Sequence, residues 1–186
     1  MTALDTAVLR IAVVGAECTG KSTLCAALAA DLPGIAVPEA LRLFGERCGR
    51  TPQAHEQASV VAQQIALEQE GVRRARAAGH RWVICDSTPL ATALYSIDLF
   101  GDTALLEDAI AHQRGYALTL FAAPDLPWEA DGIQRDGPDA RTRFDALLRA
   151  TLSRHAVGHV PVEGPHAARI ERALSACRSA YNRGSR

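Results

Sequence analysis

Residues 15–23 read Gly-Ala-Glu-Cys-Thr-Gly-Lys-Ser-Thr, the spacing G-x-x-x-x-G-K-S. An apolar run, Ile11-Ala12-Val13-Val14, stands directly before it, and a helix-forming run, Leu24 to Ala30, directly after. Strand, glycine-rich turn and helix in that order build an anion cradle. The glycines let successive N–H groups point inward, and the helix N-terminus adds the positive end of its dipole. Lys21 would reach the β- and γ-phosphates of a nucleotide, and the Ser22 hydroxyl would ligate Mg²⁺. Gly15, Ala16, Glu17, Cys18, Thr19, Gly20, Lys21, Ser22 and Thr23 are therefore the expected nucleotide-binding stretch, with ATP and Mg²⁺ as ligands. Of the 20 basic residues, Lys21 is the only lysine. A compact ammonium fits inside such a loop where the planar arginine fork does not.

Phosphoryl transfer also needs carboxylates and mobile cations. In a parallel α/β sheet, ligands bind at the carboxyl ends of the strands, which selects Glu39 after the second apolar run, Asp86 after the third and Asp125 after the fourth. Asp86 closes Trp82-Val83-Ile84-Cys85 as a Walker-B-like carboxylate would, and is a candidate Mg²⁺ ligand; capping the next helix is its other use. Glu39 is a candidate proton acceptor or substrate contact, or a first-turn acid paired with Arg42 three residues on. Arg135, Arg141 and Arg143 flank a Pro-, Asp- and Gly-rich stretch, 123–139, and Arg135 is favoured as the cation that offsets γ-phosphate charge. Trp128 in that stretch offers a ring for stacking on a base, or a hydrophobe that packs on the body. Cys18 fits as a small side chain in the loop, beside a lysine. No N-K-x-D stretch reads guanine, and the loop 164–169, ending at Arg169, is a plausible base contact.

The elements that position these groups follow from periodicity. Strands are expected at 9–14, 35–37, 82–85, 117–121 and 157–162. Helices are expected at 21–31, from Pro38-Glu39 to about 47, from a Thr51-Pro52 start to about 78, at 90–99, 102–112 and 139–155, and from Pro165 to about 181. On the long third helix, Val60, Val61, Ile65 and Leu67 form the apolar side, while Gln63 and Gln64 face either the cleft or the surface. Residues 182–186 read as a frayed tail. Alternating strands and helices predict a three-layer α/β P-loop NTPase fold, a five-stranded parallel sheet with helices on both faces and a lid insertion, in one domain spanning 1–186.

Composition narrows the class. A chain of 186 residues, 48% hydrophobic and 22% charged, with net charge −1, is ordinary for a globular protein and carries no basic excess for nucleic acid or a membrane surface. No apolar run approaches the roughly 20 residues of a membrane span, and the N-terminus lacks a signal pattern. Five scattered cysteines without a C-x-x-C pair predict reduced thiols and a cytoplasmic setting. The six histidines have no metal-ligand spacing. None of these features sets an oligomeric state.

Gly15 to Thr23, Pro38-Glu39-x-x-Arg42, Cys85-Asp86-Ser87-Thr88 and, most specifically, Asp125-Leu126-Pro127-Trp128-x-x-Asp131-Gly132 together resemble the ribosylnicotinamide kinase domain of NadR-type proteins, over nearly the whole chain. The resemblance implies transfer of the ATP γ-phosphoryl group to the ribose 5′-hydroxyl of nicotinamide riboside. Glu39 or Asp86 would be the base, and Ser22 and Asp86 would serve Mg²⁺. Asp125, Trp128 and Asp131 would line the nucleoside side, joined by Glu39 and Arg42, and Arg135 would belong to the closing lid. Two positions depart from the family pattern: Cys18 stands where serine is common, and Ala40 where an aromatic follows the acid. A kinase of another nucleoside or metabolite, or a nucleotide-dependent regulatory module, would carry the same loop.

Overall fold

The first strand, β1 (Leu9–Val14), is continuously apolar from Ile11 on because its side chains alternate between two cores. Ile11 and Val13 meet Leu24 and Leu28 of α1 (Lys21–Asp31) and Ala173 and Cys177 of α7 (His166–Gly184). Ala12 and Val14 point the other way. There they join Val83 and Cys85 of β3 (Trp82–Asp86), Leu90 and Leu94 of α4 (Pro89–Phe100), Ile110 of α5 (Leu106–Arg114) and Leu148 of α6 (Pro138–Arg154). With β2 (Gly34–Val37), β4 (Leu118–Ala122) and β5 (Val160–Val162), the strands form one parallel sheet in the order β2-β3-β1-β4-β5. The computed structural model describes residues 7–128 and 137–184. It is the three-layer α/β architecture expected, with a sheet that fixes the functional edge.

Strand order places β1 between β3 and β4, so chain direction around the sheet reverses at the loop that follows it. That reversal opens the crevice where doubly wound sheets take ligands. Register levels the candidates at this edge: Val13 lies opposite both Asp86 and Leu120, and Val37 lies opposite Cys85. Glu39, two residues beyond Val37, and Asp86 therefore emerge beside the loop after β1.

Several boundaries differ from expectation for local reasons. The long helix does not begin at Thr51-Pro52; a single 3₁₀ turn, Ala54–Glu56, precedes α3 (Gln57–Ala77). A capping box between Gln53 and Glu56, braced by two hydrogen bonds from Arg50 to the Glu56 carboxylate, displaces the start. The buried side of α3 shares only Val60 with the expected apolar one. It runs Gln57, Val60, Gln64, Glu68, Gly71 and Ala75, with Val61, Ile65 and Leu67 only partly buried. A Cβ at Gly71 would lie 2.7 Å from Val37 Cγ2, so glycine sets how closely α3 approaches the sheet.

Helix α5 starts at Leu106 rather than 102 because Asp102 Oδ1 accepts the Ala104 N–H at 2.9 Å, a turn that competes with helix. Strand β5 starts at Val160 rather than 157, since Ala156 at φ 51° and the Val157 N–H to Leu152 carbonyl bond close α6 first. Residues 182–184, expected to fray, continue α7. Among the described residues no helix is long and apolar enough to cross a membrane, and all five cysteines are free thiols.

Candidate active site

The loop from Gly15 to Gly20 is shaped by its carbonyls. Thr19 Oγ1 and Lys21 Nζ both donate to the Ala16 carbonyl at 2.8 Å, so one oxygen ties both side chains to the loop. Gly15 has no alternative: a Cβ there would lie 2.6 Å from the Ala122 carbonyl of β4. Gly20 takes φ 75° as the residue before α1, and Cys18 at the loop's bend adopts φ 54°, unusual for a residue with a side chain. Thr19 and Lys21 are buried, Ser22 is partly exposed, and Thr23 is exposed at the start of α1.

Glu39 precedes α2 (Ala40–Cys48) and leaves 13% of its side chain exposed. Burial raises its carboxyl above the ordinary value, and the Asp86 charge adds to this; Lys21, Arg42 and the Ser87 hydroxyl, which hydrogen-bonds to it, pull it down. A carboxyl raised by burial beside a second acid titrates closer to neutrality, which suits a proton acceptor. Ser87 occupies φ 67° directly after Asp86, and its N–H donates to the Val13 carbonyl at 3.0 Å. This bend joins β1, β3 and Glu39. Arg42 Nη2 donates to Ser22 Oγ at 3.0 Å and lies 3.7 Å from Glu39 Oε2.

Asp86 is 7% exposed, and its Oδ1 is buried with no hydrogen-bond partner among the described residues. A buried, unmatched carboxylate oxygen at the mouth of a phosphate loop is a donor for a hard cation or for a water that such a cation holds. Ser22 and Asp86 are the oxygen donors of the expected set, and they fit Mg²⁺, which takes few protein ligands and oxygen only.

The fourth strand's edge is arranged differently from the nucleoside-facing role expected of Asp125. Its carboxylate pairs with the Arg169 guanidinium and accepts the Gly164 N–H at 2.5 Å. Arg169, 3% exposed, also donates to the carbonyls of Gly164 (2.8 Å), Thr19 (3.0 Å) and Ala123 (3.2 Å), and burial lowers its pKa. Asp125 and Arg169 thus form one knot against the phosphate loop. Trp128 Nε1 reaches Glu17 Oε1 at 3.5 Å, the outer limit of a hydrogen bond, which places the ring at the loop's rim. Asp131 and Arg135 lie outside the described residues.

Three contributors had weak signals in the sequence. Arg141, in the first turn of α6, is 7% exposed; Nη2 donates to the Leu126 carbonyl at 2.9 Å and Nε is buried with no hydrogen-bond partner among the described residues. Among the described residues it has no carboxylate partner, whereas Arg143 lies 3.8 Å from Asp98. Leu126 in turn packs on Gly20. Gln64 accepts the Ala40 N–H at 2.8 Å, which fixes the chain just after Glu39. Gln113, fully buried, accepts from Thr88 Oγ1 at 2.8 Å and donates to Thr119 Oγ1 at 3.0 Å, bracing the turn after Asp86 against β4. For Gln64 a signal existed: it falls four residues after Val60 and four before Glu68, on one helical stripe.

Comparison with known proteins bears on the fold. No curated protein sequence matches the chain. A structure of NadR protein in complex with NAD and AMP-PNP superposes at TM-score 0.75 and 19% identity, covering 94% of this chain and 50% of that one. A structure of NadR protein in complex with NR gives 0.75 and 20%, covering 94% and 51%. The chain thus spans about half the length of those proteins. A deoxyadenosine kinase from M. mycoides superposes at 0.62 with 13% identity, over 92% of this chain and 100% of its own. At such identities the likeness is one of fold, and that fold is the three-layer α/β P-loop fold. The family model described as AAA domain matches residues 10–169, from β1 to the first turn of α7, and the chain belongs to that family.

Proposed function

We propose that this protein is an ATP-dependent small-molecule kinase whose acceptor is the 5′-hydroxyl of a nucleoside, with nicotinamide riboside the leading candidate. The observation that carries the reading is Glu39: a largely buried carboxyl with a raised pKa, beside Asp86 and Lys21, at the lip of the phosphate loop. A module that only binds or slowly hydrolyses a nucleotide has less use for such a base. In the reaction, the acceptor hydroxyl oxygen attacks the γ-phosphorus, its proton passes to Glu39, and the bond from the γ-phosphorus to the β,γ-bridging oxygen breaks to release ADP. Lys21 releases the Ala16 carbonyl to meet the phosphates. Arg141, a buried cation without a carboxylate partner among the described residues, offsets charge on the transferred group. Asp86 and Ser22 would hold Mg²⁺, whose chemistry there is to offset phosphate charge. Arg135 and Asp131 complete the proposal on the lid side, and Trp128 at the loop rim is the ring available for stacking.

The nicotinamide riboside choice is supported by the sequence resemblance of residues 126–132, with Trp128 at the loop rim, and by the fold likeness to NadR protein in complex with NR. An ATP-consumption screen over nicotinamide riboside, purine and pyrimidine nucleosides and nucleoside monophosphates tests it. Stimulation greatest with nicotinamide riboside is the expected result. Greatest stimulation by another nucleoside reassigns the acceptor, and no stimulation by any candidate contradicts the kinase reading.

A further inference from the structure

Four of the five guanidinium N–H bonds of Arg169 are spent on acceptors within the chain: the carbonyls of Gly164, Thr19 and Ala123 and the Asp125 carboxylate. These acceptors come from three connections at the functional edge: the phosphate loop, the exit of β4 and the turn after β5. So committed, and only 3% exposed, the side chain has little left for a bound nucleotide. Its effect runs through the backbone it holds. The decisive contact is Nη1 to the Thr19 carbonyl at 3.0 Å. A trans peptide is planar, with its C=O and N–H pointing in opposite directions. Holding the Thr19 oxygen against Arg169 therefore aims the Gly20 N–H away from it. Thr19 Oγ1 and Lys21 Nζ hold the Ala16 oxygen in the same manner at the other end of the loop.

We propose that Arg169 is a positioning residue that pre-organises the phosphate loop by fixing the Thr19–Gly20 peptide, and that Asp125 anchors Arg169 for this task. The inference rests on the reading of residues 15–23 as a phosphate site. Asp125 orients the fork from one side while tying down the Gly164 N–H with its second oxygen at 2.5 Å, so the turn after β5 moves with the loop. Lysine cannot substitute, because one ammonium cannot span acceptors arranged around a planar fork.

The test is calorimetric binding of inorganic tripolyphosphate, ADP and ATP to wild type, Arg169→Met, Arg169→Lys and Asp125→Asn, with the Gly20 amide followed by ¹⁵N–¹H NMR. Arg169→Met should weaken tripolyphosphate and ATP by the same factor, about tenfold for one lost donor orientation. Lysine should not rescue it, and Asp125→Asn should fall between. The downfield shift of the Gly20 amide on ligand binding should shrink in step, while KM for the nucleoside stays near wild type. A merely structural role would not single out that amide. Folded Arg169→Met with wild-type tripolyphosphate affinity and an unchanged Gly20 shift overturns the inference. If Arg169→Met does not fold, Asp125→Asn decides by the same two readouts. Wild type that fails to bind tripolyphosphate overturns the phosphate-site reading and the inference with it; binding in wild type, abolished by Lys21→Ala, upholds that reading separately.

Discussion

Arg42 Nη2 donates to Ser22 Oγ at 3.0 Å and stands 3.7 Å from Glu39 Oε2, so one guanidinium bridges the first turn of the loop helix and the acid after β2. Its charge holds the Glu39 carboxyl down against burial and Asp86. Arg42→Ala should therefore move the acidic limb of the kcat/KM profile to higher pH and lower turnover at neutrality, with Arg42→Lys closer to wild type. The side chain is 49% exposed, so the melting temperature should barely change, as for surface pairs worth about 0–1 kcal/mol. A pH–rate series on the three proteins checks this.

Glu39→Gln separates function from stability. Turnover should fall by about 10²–10⁴. Because the folded carboxyl titrates above its unfolded value, it favours the folded state below the unfolded pKa, and that contribution is lost as pH rises through the folded pKa. Glutamine lacks this dependence. Thermal melts from pH 4 to 8 should show the variant gaining on wild type as pH rises.

Arg141→Met should behave similarly for a different reason. Arg141 is buried and has no carboxylate partner among the described residues, and such a cation is often replaced by an apolar side chain at no loss of stability. We expect a melting temperature equal to or above wild type, with kcat down about a hundredfold or more. A large fall in stability with kcat preserved would make Arg141 structural instead.

Glu68 should carry the opposite signature. It is buried on α3, where it accepts from Tyr116 Oη at 2.6 Å and Arg10 Nη1 at 3.0 Å and contacts His112 Nε2 at 2.9 Å. Glu68→Ala leaves these partners unmatched and should destabilise by about 3 kcal/mol in chemical unfolding. Any loss of activity should follow the folded fraction. Gln64→Leu, which frees the Ala40 N–H beside Glu39, should reduce kcat in the folded protein.

Much of the site was legible because its signals are local or follow from topology. The phosphate loop is contiguous, and the rule that parallel strands deliver ligands at their carboxyl ends selects Glu39 and Asp86 without any contact being known. The arrangement of Asp125 was not legible, since its carboxylate is claimed by Arg169, 44 residues later, and nothing in either segment specifies the pairing. Arg141 reads as a surface residue on an amphipathic helix until Leu126 folds over it. Gln64 and Glu68 interrupt the apolar pattern of α3 because the buried stripe is a hydrogen-bonded network, which hydrophobic periodicity cannot register. The delayed start of α5 and the short β5 reflect turn hydrogen bonds that compete with regular structure over a few residues.

The central claim is phosphoryl transfer to a nucleoside hydroxyl, and ³¹P NMR of the protein with ATP, Mg²⁺ and nicotinamide riboside tests it most directly. The account predicts a new phosphomonoester resonance growing in step with ADP, absent with Lys21→Ala and strongly slowed with Glu39→Gln. ADP appearing with inorganic phosphate alone, or a Lys21→Ala variant that forms the monoester at the wild-type rate, would contradict it.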